Sequence, residues 1–436
     1  MAVQSLTTIN NLLKTQYLPS YIDGFQENDD ILKMMLKNAK PADGGDSEKL
    51  VRVGRNSGVG FRGDNDDLPT PGSSSWVKHT VTPRLFYGAI RISGPAVART
   101  KSGGPGSTKS FLKAFVDEAD HTMSWAKKRA NMALWGGKEG IMAVLDSDPS
   151  TGTTLTLQGP GEAALDATCN QNAGTRHFPF GNETVIDVVD TDGATIHQAG
   201  ISVTGVDHAA GTLTIGTAAA AAMTTGDWVV LGRGLTTSDT YVQDSFEGLQ
   251  AAVDNGDIRT TYHGLSRATY PQLKANVLKA ASPYTLRDIS PGLMEDLIKT
   301  VQLNSGDDPN GGKYHFRTSL GLHTELAQME MPFKRYAGNE LKPGFKPKLQ
   351  WNGLIPIEPD VDCPYETVYL LREEDILFLE TDKLGFLDED GRVLHKVAGK
   401  DAYEAQFRWY GNPFVQNLHR MGVIRDLNDT SYKFRS

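Results

Sequence analysis

The residues of this chain with most chemical potential are two glycine-rich stretches, an acidic turn, ten histidines and two cysteines, each to be judged by the spacing its chemistry needs. Gly58-Val59-Gly60-Phe61-Arg62-Gly63 has GxGxxG spacing, which binds a dinucleotide only when a buried strand precedes it and a helix N-terminus aims at the pyrophosphate. Asp64, Asn65, Asp66 and Asp67 follow instead. That acidic, helix-free continuation repels phosphate, so the stretch reads as the flexible part of a hairpin. The run SGDDPNGGK (305–313) resembles a phosphate loop, but its glycines are one position out of register and the strand-like YHFRTS replaces the helix that would hold the anion. It reads as a surface turn. Asp388-Glu389-Asp390-Gly391 lacks the alternating ligands and distal bidentate Glu of a calcium loop, and reads as a hairpin turn. The histidines form no HxxxH or HExxH pair, and no GxSxG elbow marks a nucleophile. Cys169 and Cys363 have no CxxC partner, which excludes a zinc site and a disulfide framework and predicts two unpaired thiols. Lys127-Lys128-Arg129 are consecutive on a predicted helix and point in different directions, as on a solvated face or at a subunit contact. The expectation is a non-enzyme with no catalytic, cofactor-binding or metal residues and no cofactor.

Length and composition narrow the class. The 436 residues, 39% hydrophobic and 22% charged, suffice for two or three packing units of ordinary globular character. No apolar run approaches the roughly 18 residues of a membrane span, and MAVQSLTTINNLLKTQYLPS lacks the basic-then-apolar order of a secretion signal. A protein that works where it is made, or leaves by lysis, is expected, with no membrane partner. The net charge of −9 argues against tight binding of nucleic acid through phosphate neutralisation.

The elements come next. Residues 1–47 carry a helical patch, Leu12, Leu13 and Tyr17 and then Ile31, Leu32, Met35 and Leu36, punctuated by Pro19 and Pro41. They read as an arm. Residues 48–62 and 76–93 read as two strands around the polar tip 63–75. A lone two-stranded ribbon is marginal in water, so this one must lie on something. From Thr108 to Trp135, Phe111, Leu112, Phe115, Val116, Ala119, Met123, Ala126, Ala130, Ala133 and Leu134 make one stripe at helical spacing, closed by Gly136-Gly137. Such a helix spans about 42 Å and reads as a strut. Residues 150–235 shift to Thr, Gly, Ala and Val in short strands, a small β-barrel or sandwich with Trp228 as its expected core anchor. Helices are predicted near Ser245–Val253, Tyr270–Lys279, Thr285–Leu303 and Gly321–Met329, with alternating strand and turn thereafter. No 20–50-residue repeat is visible.

Arm, hairpin and strut lack private cores, and such a chain is completed by copies of itself. In this order the parts resemble the major capsid proteins of tailed bacteriophages, the Hong Kong 97-type fold. EGLQAAVDNGDIRTTYHGLSRATYPQLKANVL (247–278), LQWNGLIPIEPDVDCP (349–364) and DAYEAQFRWYGNPFVQNLHRMGVI (401–424) are similar to phrases of phage coats. The resemblance implies an α+β chain with an N-terminal arm (1–47), an extended loop hairpin (48–96) and the spine helix with the start of a peripheral domain (97–149). An inserted small β-domain (150–235), a mainly axial domain (236–350) and returning strands of the peripheral domain (351–436), the last strand peripheral or axial, would follow. It implies pentamers and hexamers of an icosahedral virion shell around double-stranded DNA, assembled in the host cytoplasm. Its partners would be a separate scaffolding protein, a portal protein and decoration proteins, with DNA touched weakly and non-specifically. Some members of the family join subunits by an isopeptide bond; Lys49 and Lys78 in the loop, and Asn412 or Asn417 with Glu404, occupy the corresponding elements. Phe86, Tyr87 and Ile90 are expected to be buried only after assembly. Two rivals are an encapsulin-type compartment and a β-rich hydrolase or adhesin with a helical stalk.

Overall fold

The computed structural model describes residues 30–42, 46–54, 56–64, 66–95, 107–137, 139–159, 174–178, 184–280, 286–334, 349–388 and 393–430. It is mixed α/β and strand-rich, and it divides into two compact units.

One unit comprises residues up to Asp46, Thr82–Asn131 and Phe378–Asn412. Its five-stranded sheet is built around the strand Ala402–Val415, which pairs antiparallel with Arg84–Ser93, from Ala402 opposite Ser93 to Gly411 opposite Arg84. Alternation along Arg84–Ser93 turns Ile90 inward and leaves Leu85 and Tyr87 exposed. Gly88 is required because the Phe407 ring fills the space a Cβ would occupy. Phe378 stacks on the buried Trp409 at 4.5 Å between ring centroids. The helix Asp30–Lys37 buries Ile31, Leu32, Met34 and Met35. The strand after it, Ala39–Pro41, pairs parallel with Ile376–Phe386. The last third of the predicted arm is thus seated in its own chain, while residues 1–29 lie outside the described residues. The long helix, Ser107–Trp135, matches the predicted one, and of its stripe Ala119, Met123, Ala126, Ala130 and Leu134 are buried. The side chains of 107–117 lie outside the described residues.

The other unit holds Ser47–Val81, Met132–Leu377 and Pro413–Ser436. Its central six-stranded sheet carries the helix Pro291–Ser305. That helix begins where Ser290 accepts the Leu293 amide and Pro291 supplies a preset φ, and it ends at Gly306 in the left-handed region (φ 72°). Met294, Leu297, Ile298 and Val301 form its buried stripe, packed with Tyr314, Phe316, Ile357, Val368, Leu370 and Ile424. Leu297 lies so near the strand Gly422–Ile424 that a Cβ on Gly422 would meet its Cδ1 at 2.7 Å. Each such buried side chain stabilises the fold by about 1.5–3 kcal/mol. Strands between Ile141 and Leu231 close a six-stranded barrel filled by Leu155, Leu157, Phe178, Ile186, Val188, Ile201, Val203, Leu213 and Val229.

Four local expectations are corrected. The returning strand 76–93 is two strands, Trp76–Val81 and Arg84–Ser93, because Pro83 has no N–H for a ladder. Ile90 is buried within the protomer, not on assembly. Trp228 is half-buried at the rim, packed with Val189, Ile196, Val230 and Tyr241, because its neighbour Val229 takes the inward position. Tyr270–Lys279 is a short 3₁₀ turn, Pro271–Leu273, and then a strand, Asn276–Leu278. Here the Asn276 amide and its Nδ2 both reach the Met421 carbonyl, and these bonds outweigh helix propensity.

A buried ionic hub holds the loop 254–275. The fully buried Asp254 accepts from Arg267 Nη1 at 3.2 Å, Arg425 Nη2 at 3.0 Å and the amides of Gly256, Ile258 and Arg259. Arg267 also donates to the carbonyls of Ala251, Ala252, Arg259 and Leu273, which use all three of its nitrogens. Removing one partner of such a pair strands the other charge in the interior. Arg267→Ala is expected to destabilise this unit by about 3–5 kcal/mol, measured as a lower urea midpoint by tryptophan fluorescence. Arg267→Lys keeps the charge but not the planar fork of donors, and should recover only part of the loss.

Candidate interaction surface

The hairpin begins with the ladder Ser47–Arg52 against Trp76–Val81, Ser47 opposite Val81 and Arg52 opposite Trp76. Its root is seated in its own unit. His79 is buried, with its ring edge-on to Tyr262 (6.0 Å, 70°) and Phe414 (5.5 Å, 68°). Tyr262 ends the short strand Thr261–Tyr262, which turns through His263 (φ 42°) and Gly264 (φ 81°) into Leu265–Ser266. Two positive φ values make this the tight turn that suits strand twist, at a cost for a non-glycine first residue. His263 is held there by its surroundings: its amide donates to Glu247 Oε1 at 3.2 Å, Nδ1 lies 3.0 Å from Glu247 Oε2, and Nε2 lies 3.1 Å from the Pro413 carbonyl. The Val415 amide donates to the Tyr262 hydroxyl at 2.9 Å. Where the ladder ends, Gln272 Nε2 donates to the Val53 carbonyl at 2.7 Å. A groove of about 890 Å³ opens beside this root, lined in part by Arg52, Trp76, Gln272 and Lys274, with no carboxylate among its lining residues.

Beyond the root the limbs stay together without a regular ladder. Gly58 and Gly72 permit this, since a Cβ on Gly58 would lie 3.0 Å from the Gly72 amide nitrogen and from the Thr70 carbonyl oxygen. The tip presents Val59 (87% exposed), Phe61 (105%) and Leu68 (85%), and Leu50 and Trp76 are exposed on the limbs below. A ribbon with a fixed root and a bare apolar tip is built for docking.

The motifs singled out in the sequence take other places in the structure. The GxGxxG stretch lies on this ribbon with no helix after it, and Asp66 Oδ2 accepts the Gly63 amide at 2.8 Å. Gly306 caps a helix and Asp307 pairs with Arg372 and Arg420, so 305–313 is a turn tied into an ionic cluster. Residues 389–391 lie outside the described residues. Arg129 sits over the Trp125 ring at 5.1 Å. Cys363 is buried and its thiol is pushed up by burial, while Cys169 lies outside the described residues. Among the described residues no group of three His, Cys, Asp or Glu is placed to hold a metal. Of the isopeptide candidates, Lys78 pairs with Glu48, and Lys49 lies opposite His79 in the ladder. Asn412 Nδ2 donates to the Thr82 carbonyl, and Glu404 takes Arg91 and Gln406. The carboxylate beside Asn417 is Asp375, at 2.7 Å, not Glu404. Sequence reasoning missed the seat of the hairpin, although Glu247, Tyr262, His263 and Phe414 all fall within the coat-like segments 247–278 and 401–424.

No protein-family model and no curated protein matches the chain. Among solved structures, a chain of the cyanophage A-1(L) capsid asymmetric unit is similar with a TM-score of 0.52, over 96% of this chain and 99% of that one, at 15% identity. A chain from the capsid of a native GTA particle gives a TM-score of 0.48, over 91% and 90%, at 8% identity. The holo-SrpI encapsulin complex of Synechococcus elongatus gives 0.41, over 99% and 92%, at 9% identity. The cyanophage likeness establishes the fold: this chain is built as a phage capsid chain is built.

Burial pushes His79 down to about 4, helped by the neighbouring His263 and opposed by Glu247. A histidine lowered in the folded state contributes stability that is present above its unfolded value of about 6.5 and lost as pH falls toward the folded one. The thermal midpoint is therefore expected to drop between pH 6.5 and 4, and His79→Phe, which keeps the aromatic packing, should flatten that slope relative to the parent chain.

Proposed function

We propose that the chain is the major capsid protein of a tailed phage, a non-enzymatic Hong Kong 97-type subunit that assembles as pentamers and hexamers into an icosahedral shell around double-stranded DNA. The observation that carries this reading is the hairpin, rooted in its own unit by His79 and bare at Val59, Phe61 and Leu68. The cyanophage capsid fold supports it. In this reading 48–96 is the extended loop, 106–136 the spine helix, 150–235 an inserted β-domain, 236–350 mainly axial and 351–436 returning peripheral strands. A separate scaffolding protein sets curvature, a portal protein occupies one vertex, decoration proteins bind the shell, and assembly takes place in the host cytoplasm.

The physical logic is one of delayed burial. Three apolar side chains covered by a neighbour stabilise each contact by about 4–9 kcal/mol before ordering costs. Contacts of that size can break and re-form, so errors in a growing lattice are corrected, while closed symmetry multiplies them. The overall charge of −9 suits a container whose genome must enter and leave, which a strongly cationic lining would hinder.

Co-expression with a scaffold is expected to yield hollow particles of one dominant polypeptide in negative stain. The triple variant V59S/F61S/L68S should remain soluble and folded, because these side chains are exposed in the protomer, yet lose shells by roughly tenfold or more. Undiminished shell yield from that variant would contradict the proposal.

A further inference from the structure

The unit built on the strand Ala402–Val415 has a groove of about 820 Å³ between the helix Asp30–Lys37 and the parallel strands Ala39–Pro41 and Ile376–Phe386. Four lysines converge on it: Lys33 and Lys37, one turn apart on the helix, Lys40 on the first strand and Lys383 on the second. All four are exposed, and none makes an ion pair among the described residues. Leu36, Leu384 and Pro41 supply an apolar floor. The one carboxylate among the described lining residues, Glu380, accepts from Trp409 Nε1 at 3.0 Å, and one carboxylate against four lysines leaves the groove with an excess of positive charge. In a chain of net charge −9 such a concentration of cations calls for an acidic counterpart.

The counterpart with matching chemistry lies on the hairpin tip. Asp64, Asp66 and Asp67 precede the bare Leu68, so an acidic cluster adjoins an apolar side chain there as lysines adjoin Leu36 and Leu384 in the groove. Asp66 is already oriented by the Gly63 amide. The shorter limb, from Leu68 to the ladder at Trp76, lets the tip reach up to about 28 Å beyond the ladder, enough to enter a neighbour. We propose that this groove receives the acidic hairpin tip of a second copy of the chain, with Asp64, Asp66 and Asp67 against Lys33, Lys37, Lys40 and Lys383 and Leu68 on the apolar floor. The proposal rests on the shell-subunit reading and names the surface that the ribbon docks on. A confined groove with an apolar floor suits a peptide loop better than a duplex, whose phosphates need a long open stripe of cations.

Charge reversal tests it. The groove variant K33E/K37E/K383E and the tip variant D64K/D66K/D67K should each lower shell yield by roughly tenfold, and combining them in one chain should restore most of it. Carbodiimide treatment of unmodified shells, made from mixed light and heavy nitrogen, should then join Lys33, Lys37, Lys40 or Lys383 to Asp64, Asp66 or Asp67 as amides between light and heavy chains. Normal assembly of both reversal variants overturns the proposal, as does failure of the combination to rescue, or the absence of those inter-chain amides when other lysine–carboxylate links form. A groove variant that assembles normally but loses packaged DNA overturns it in favour of nucleic acid. Absence of shells from the unmodified chain removes the shell-subunit reading itself, a result distinguishable from all of these.

Discussion

Two hydrogen-bonded strands bury too little to stay rigid in water, so the reach of this chain's hairpin depends on how its root is held. The holding contact is the buried ring of His79 against Tyr262 and Phe414, braced by the strained His263 turn and by Glu247. Everything beyond that seat gains direction without gaining cover. Had the root been loose, ordering the ribbon on docking would cost about 1–2 kcal/mol for each residue fixed. Had the tip been covered in the protomer, no binding energy would remain for a partner.

The same division between anchored and uncovered parts recurs elsewhere. The loop 254–275 is polar along much of its length, yet it is immobilised by the Asp254–Arg267–Arg425 hub, which satisfies backbone groups that no sheet or helix reaches. The helix Asp30–Lys37 buries one face and leaves its lysines exposed. In each case the interior contact is strong and unique, while the outward residues are charged or apolar groups without cover. Within a lattice, this arrangement separates the energy that folds a subunit from the energy that joins subunits.

What could be read from the sequence follows from the range over which each signal acts. The helix Ser107–Trp135 was legible because its stripe repeats for several turns and Gly136-Gly137 stops it. The barrel was legible from evenly spaced β-branched runs, although its first strand, Ile141–Leu145, lies before the composition shift. Errors arose where one residue or a distant partner decides. Pro83 splits a strand that looks continuous by pattern. Asn276 leaves a helical pattern for carbonyls more than 140 positions away. The hairpin seat joins His79 to residues near 262 and 414, and the lysine groove joins residues near 35 to 383; neither has a local signature.

If the hairpin root is buried in each subunit and the tip only between subunits, amide hydrogen exchange compared between dissociated subunits and assembled shells will show it. Slow exchange is expected for 47–52 and 76–81 in both states, and for 56–72 in shells alone. Equal exchange of 56–72 in the two states would contradict a tip that is covered only by a neighbour.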